Sequence, residues 1–174
     1  MNQLSDSIRS IPDFPKKGIV YRDITTLLKN ADALKKVVDL FFEKYRNSKI
    51  DKVVCIESRG FIIGSALAVN LGAGFVPVRK KGKLPADVIT EQYALEYGTD
   101  SVEMHVDALR PGERVLLHDD LLATGGTMCA AIKLVEKLQA KIVGVSFLIE
   151  LSFLRGRKHM QEQDIYSLII YDRE

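Results

Sequence analysis

The residues with the clearest chemistry lie in one run, VLLHDDLLATGGT, from Val115 to Thr127. Two adjacent carboxylates, Asp119 and Asp120, follow an apolar stretch, and Ala123, Thr124, Gly125, Gly126 and Thr127 then open a helical pattern. Small residues let the backbone approach an anion. The N–H groups of a helix's first turn have no intrahelical partner, and the helix dipole favours negative charge beside them. The hydroxyls of Thr124 and Thr127 add donors. Carboxylates beside a phosphate would repel it, so they must face another part of the ligand, and ribose hydroxyls are natural donors to them. The run therefore reads as a cradle for a phosphorylated ribose. No Lys-Ser or Lys-Thr follows the glycines, which excludes the Walker phosphate loop, and the spacing is not that of GxGxxG.

The elements that must position this run follow from hydrophobic period. Asn30 can cap a helix in which Leu34, Val37, Val38, Phe41, Phe42 and Tyr45 recur at helical spacing. Lys52 to Ile56 is a β-branched run without alternation, as in a strand buried on both faces, and it leads through Glu57-Ser58-Arg59-Gly60 into a helix from Phe61 to Leu71. The same order returns at Phe75 to Arg79, Arg114 to His118, Thr127 to Leu138 and Ile142 to Ile149. Strand alternating with helix predicts an α/β fold, a parallel sheet flanked by helices with right-handed crossovers. Between about 80 and 109 the pattern breaks: Ile89, Glu91, Tyr93, Leu95 and Tyr97 alternate before Gly98-Thr99-Asp100, which predicts an antiparallel hairpin. Its place between two core strands, behind a basic glycine-containing loop, suits a lid better than core.

Bulk properties limit the function classes. The 174 residues are 47% hydrophobic and 28% charged, the balance of one globular domain spanning 1–174. A net charge of +2 is too even for a chain that wraps a polyanion, so nucleic acid is not an expected partner. No stretch approaches the roughly 18 apolar residues needed to cross a bilayer. The start of the chain carries no apolar run of signal-peptide length, and Cys55 and Cys129 lie in apolar stretches, so reduced thiols in a cytoplasmic, membrane-free protein are expected. His118 interrupts an apolar strand just before Asp119; like His105 and His159 it reads as a structural group, since no zinc spacing surrounds it.

At DDLLATGGT the chain resembles the type I phosphoribosyltransferase family. IRSIPDFPKKGIVYRDIT, ESRGFIIG, RKKGKLP and YALEYG, in that order along nearly the whole chain, narrow the likeness to the adenine phosphoribosyltransferases. The resemblance implies the Rossmann-like type I fold, with a small base-binding hood over about 1–30 and the 80–109 insertion as a β-hairpin lid. It implies transfer of the 5-phosphoribosyl group from 5-phosphoribosyl diphosphate to N9 of adenine, giving AMP and diphosphate. Mg²⁺ would accompany the diphosphate with no direct protein ligand, and two copies of the chain would form a homodimer.

By the same likeness Asp119, Asp120, Ala123, Thr124, Gly125, Gly126 and Thr127 hold ribose 5-phosphate. Arg59, Arg79, Lys80 and Lys83 meet the diphosphate, and the loop at Glu57-Ser58-Arg59 carries a non-proline cis peptide. Glu57 stands where Asp is expected. Val20, Tyr21 and Arg22 surround adenine, with Tyr21 where many members carry Phe. Arg59 and Glu96 are the catalytic pair, Glu96 as acid/base. Two other readings remain open: a transferase for a 6-oxopurine or xanthine, and a non-catalytic sensor of the same ligand. The sensor would need an output segment in a chain whose residues one domain already uses.

Overall fold

The computed structural model of the protein describes residues 4–94 and 98–173. Asn30 caps α2 (Ala31–Tyr45), its side chain accepting from the N–H groups of Asp32 and Ala33, as its position ahead of the periodic run requires. Ahead of α2 lie a two-stranded antiparallel ribbon, β1 (Arg9–Ile11) with β2 (Tyr21–Asp23), and the short helix α1 (Thr25–Leu28). The main sheet contains β3 (Lys52–Ile56), β4 (Gly74–Lys80), β5 (Val88–Ala94), β6 (Thr99–His105), β7 (Arg114–Leu122), β8 (Lys141–Leu151) and β9 (Ile165–Tyr171). Helix α3 (Gly60–Leu71) follows β3 and α4 (Gly126–Lys137) follows β7.

The sheet order is β5-β6-β4-β3-β7-β8-β9. β4, β3, β7, β8 and β9 run parallel to one another, while β6 is antiparallel to both β4 and β5. The chain moves outward from β3 in one direction to β4 and later in the other through β7, so the strand order reverses between β3 and β7. In an open α/β sheet the crevice beyond the strand ends at such a reversal receives ligands.

Why β3 and β7 show no alternation is visible in their burial. Val53, Cys55 and Leu116 pack with α2 and α3 on one face, and Val54, Ile56, Val115 and Leu117 pack with α4 on the other. Both faces are therefore core. Leu4, Ile8, Ile24 and Leu27 join the α2 and α3 side, which roots the N-terminal segment in the same core.

The structure departs from the sequence reading in three places. β7 runs four residues further than His118, to Leu122, so both aspartates lie in a strand whose Asp119 is registered with Phe147 of β8. The insertion is a hairpin as expected, but its base is core: β6 extends the sheet beside β4, and Val102 and Met104 are 1% and 0% exposed. α4 covers that edge, so Val102 and Met104 are core and Ile89 and Tyr93 pack half-buried against it. Finally, β9 was not among the strands read from the sequence. As an edge strand it is mostly half-buried and presents a weak pattern. None of the described helices is long and apolar enough to cross a membrane.

Candidate active site

The site forms where β3 and β7 end side by side. Gly60 opens α3 directly against β7: a Cβ there would lie 2.8 Å from Asp119 Oδ1 and 3.1 Å from Asp119 Cα. Glycine is thus what allows the loop Glu57-Ser58-Arg59 and the two aspartates to share one crevice. The Glu57–Ser58 peptide is cis. The resulting cleft encloses about 380 Å³ between Glu57, Arg59, Lys80, Tyr93, Asp120 and Thr127.

Asp120 is 4% exposed and its Oδ2 lies 2.8 Å from Arg59 Nε. The contact is an ion pair out of hydrogen-bond alignment, and Oδ2 is left buried without a hydrogen bond among the described residues. Such an acceptor calls for a donor from elsewhere. Asp119, half-buried, receives the Asp120 N–H on Oδ1 at 2.8 Å. Enclosure raises the pKa of both carboxyls; the negative neighbour raises Asp119 further, well above the ordinary carboxylate range, while Arg59 opposes the rise at Asp120.

Beyond β7 the chain turns through Gly125, whose φ of +86° is the left-handed conformation that glycine adopts without steric cost, and enters α4. Asp119, Phe147 and the segment Leu121 to Met128 enclose a cradle of about 90 Å³ at that helix end. Ala123, Thr124, Gly125, Gly126 and Thr127 are therefore together, and the aspartates adjoin them. The hairpin closes the opposite wall: a Cβ at Gly126 would touch Tyr93 at 3.4 Å and the Ala94 carbonyl at 3.5 Å.

The expected diphosphate-binding cations are also gathered, though each already has a counter-ion. Glu57 joins Arg79 and Lys83, with Oε2 2.9 Å from Arg79 Nε and Oε1 2.9 Å from Lys83 Nζ. The Lys80 N–H donates to Glu57 Oε1 at 2.8 Å. Lys80 Nζ sits 3.0 Å from Asp100 Oδ2, which also accepts from the Tyr93 hydroxyl at 3.2 Å. Tyr93 and Thr127 both line the cleft. Hydrogen bonds with these cations hold the Glu57 carboxyl below its ordinary value against the opposing effect of burial, the largest single influence on it. The Lys80 ammonium is raised by its bond to Asp100.

On the hood side, Arg59 Nη1 donates to the Tyr21 hydroxyl at 2.5 Å, and the guanidinium carbon lies 5.4 Å from the Tyr21 ring centroid. Arg59 thus connects Tyr21 with Asp120. Val20, half-buried, directly precedes β2. Arg22 is separated from this line: buried on the other side of β2, it donates to Ser10 Oγ at 2.5 Å and stacks 4.0 Å from the Tyr171 ring centroid. Period-2 alternation along a strand sends Tyr21 and Arg22 to opposite faces. Glu96 lies outside the described residues.

Sequence reading overlooked Tyr93, Asp100 and the segment from Arg155 to Met160 as parts of the site. Tyr93 belongs to the alternating run of the hairpin, but nothing local told that it would line the cleft with Thr127. Gly156 packs on the cradle itself, since a Cβ there would lie 2.3 Å from the Ala123 carbonyl oxygen.

The chain is similar to known proteins over nearly its whole length. Residues 23–170 match the model of the phosphoribosyl transferase domain. An adenine phosphoribosyltransferase of Brachyspira hyodysenteriae is 59% identical over 169 residues, covering 97% of this chain and 99% of the relative. One of Geobacter metallireducens is 55% identical over 98% of this chain and 100% of its own. Among solved structures, the adenine phosphoribosyltransferase of Thermoanaerobacter pseudethanolicus superposes with a TM-score of 0.94 at 50% identity, covering 97% and 98% of the two chains. The Saccharomyces cerevisiae enzyme, solved with an imino-altritol bisphosphate and adenine, superposes at 0.90 with 39% identity over 94% and 95%. A sheet whose strand order reverses beside a carboxylate pair and a glycine-rich helix start, with relatives this similar end to end, places the chain in the phosphoribosyl transferase family, among the adenine phosphoribosyltransferases.

Proposed function

We propose that the protein transfers the 5-phosphoribosyl group of 5-phosphoribosyl diphosphate to adenine, releasing AMP and diphosphate in purine salvage. The observation that carries this reading is the convergence of Asp119 and Asp120, the Ala123 to Thr127 cradle and Arg59 in one crevice, with Arg59 reaching on to Tyr21. One ligand with a phosphate end, a sugar and a base would span these parts.

In the reaction the bond from C1′ to the diphosphate oxygen breaks with its electron pair leaving on diphosphate, and the N9 lone pair forms the new bond to C1′. Positive charge develops on the ribose, so the enzyme must hold the leaving group, align the base and exclude water. The cradle fixes the 5-phosphate through backbone N–H groups and the hydroxyls of Thr124 and Thr127. Asp120 Oδ2, ion-paired with Arg59 but without a hydrogen bond among the described residues, accepts a ribose hydroxyl. Arg59, Arg79, Lys80 and Lys83 take the diphosphate, exchanging their internal carboxylates for the ligand's oxygens. Val20 and Tyr21 face the base, Arg22 supports them from beneath, and Glu96 removes the proton that adenine must lose.

No cluster of three or more His, Cys, Asp or Glu side chains able to hold a metal occurs among the described residues. Mg²⁺ would accompany the diphosphate held by Arg59, Arg79, Lys80 and Lys83, and would help neutralise the leaving group. We assign the protein to the cytoplasm and to a homodimer, which sedimentation would register as twice the 19.5 kDa chain mass.

Incubation with 5-phosphoribosyl diphosphate, Mg²⁺ and single purines tests the reading. AMP from adenine, with hypoxanthine and guanine inert, is expected, because a site that pairs the 6-amino edge leaves polar groups unpaired against a 6-oxopurine. Turnover of hypoxanthine or guanine alone would transfer the chain to another base specificity. Tight ligand binding without any product would make it a sensor.

A further inference from the structure

Against the backbone of the phosphate cradle, at Leu122, Ala123 and Gly125, packs the turn from Arg155 to Met160. Its contact with the cradle is backbone against backbone. A Cβ at Gly156 would stand 2.3 Å from the Ala123 carbonyl oxygen and 2.8 Å from Leu122 Cδ1, and one at Gly125 would stand 3.0 Å from the Gly156 carbonyl oxygen. Gly125 is at positive φ but Gly156 is not, so glycine is needed at 156 for space alone.

Arg157 fastens this turn to the sheet. Its Nε and Nη2 donate to Glu150 Oε1 and Oε2 at 2.6 and 2.7 Å, and Nη1 donates to the Ile165 carbonyl at 2.9 Å. The Ser167 hydroxyl donates to Glu150 Oε2 at 2.7 Å and accepts from Arg157 Nη2 at 3.2 Å. Glu150 is 4% exposed on β8, and Ser167 lies on β9. A planar guanidinium held in a bidentate pair and two further bonds has little orientational freedom.

We propose that this turn is a positioning element of the phosphate cradle: Gly156 sets the position of the Ala123 backbone, and the Arg157, Glu150 and Ser167 network fixes Gly156. None of these residues touches ligand. Their effect passes through the backbone of 122–125, so it falls on the 5-phosphate end of the substrate and not on the diphosphate end, whose cations stand on β4, on the loop after it and, for Arg59, at the start of α3. The proposal rests on assigning the cradle to the 5-phosphate.

Calorimetric titration of the full chain with ribose 5-phosphate, and separately with magnesium diphosphate, tests it. Gly156→Ala must open the contact by about 1 Å, and a displacement of that size predicts ribose 5-phosphate affinity reduced by about tenfold or more, with diphosphate affinity within about twofold of the parent. In turnover the KM for 5-phosphoribosyl diphosphate rises while that for adenine stays. Glu150→Gln and Ser167→Ala, one step removed, should show the same selective loss at about threefold. Equal losses for both ligands, or unchanged ribose 5-phosphate binding in folded Gly156→Ala, would overturn the proposal. If Gly156→Ala does not fold, parent-like ribose 5-phosphate binding in both other variants overturns it instead. Thr124→Val and Thr127→Val separate the two claims: if neither weakens ribose 5-phosphate, the cradle assignment itself is wrong, whatever the turn does.

Discussion

Asp120 and Asp119 show how one residue type acquires two tasks from its surroundings. Asp120 keeps a buried oxygen without a hydrogen bond beside Arg59, and Asp119 is held by the Asp120 N–H. A hydrogen bond to a charged group contributes about 1.5 to 3 kcal/mol, so Asp120→Asn should raise the KM for 5-phosphoribosyl diphosphate roughly tenfold to a hundredfold, read from initial rates. Glu96→Gln should instead lower kcat more than it changes either KM, and a parent-like kcat would remove Glu96 from the chemistry. His118 is fully buried, with Nε2 lacking a hydrogen-bond partner among the described residues. Its Nδ1 lies 2.9 Å from Ser146 Oγ, whose own proton goes to the Leu117 carbonyl, which assigns the proton of the imidazole to Nδ1. Burial depresses its pKa from 6.5 to about 3. The folded state therefore refuses a proton that the unfolded chain accepts, so this contribution to stability is complete above pH 6.5 and is lost as pH falls toward 3. Urea titrations should show stability falling by up to about 1.4 kcal/mol per pH unit across that window, with the slope reduced in His118→Leu.

Among elements, α3 is apolar on nearly every side, and its seating on the sheet depends on a glycine. A Cβ at Gly64 would lie 2.1 Å from Cys55 Sγ and 3.4 Å from His118 Cδ2. Gly64→Ala should cost about 1 to 3 kcal/mol by overpacking, and Cys55→Ala should recover part of it because both changes act on one contact. Thermal unfolding of the two single variants and the double variant measures this coupling; strict additivity would show that the helix shifts away instead. The start of α2 was legible in sequence because Asn30 and the apolar repeat are local signals. The end of β7 was not, because Asp119 and Asp120 look like loop residues until β8 supplies the ladder that carries the strand to Leu122. The hairpin divides the same way: alternation announced β5, but only α4 determines that Val102 and Met104 become core.

At the scale of the whole molecule, the crevice joins parts separated by most of the chain, including Tyr21, Arg59, Lys80, Asp120 and Thr127. A ligand bridging them stabilises only the folded state. At a hundredfold excess over its dissociation constant, 5-phosphoribosyl diphosphate with Mg²⁺ should add about 2.7 kcal/mol and raise Tm by roughly 5 to 10 °C, and Asp120→Asn should lose most of that shift at the same concentration. The sequence by itself determined the α/β alternation, the turn that opens α4 and the family, because hydrophobic period and turn residues act over a few neighbours. Tertiary structure alone decided which cation meets which carboxylate, that Arg22 turns away from Tyr21 toward Tyr171, and that Gly156 stands behind Ala123. Around the crevice those pairings join residues 20 to 149 positions apart, from Lys80 and Asp100 to Arg22 and Tyr171. No local pattern encodes them, because they are fixed only when the sheet brings its strand ends together.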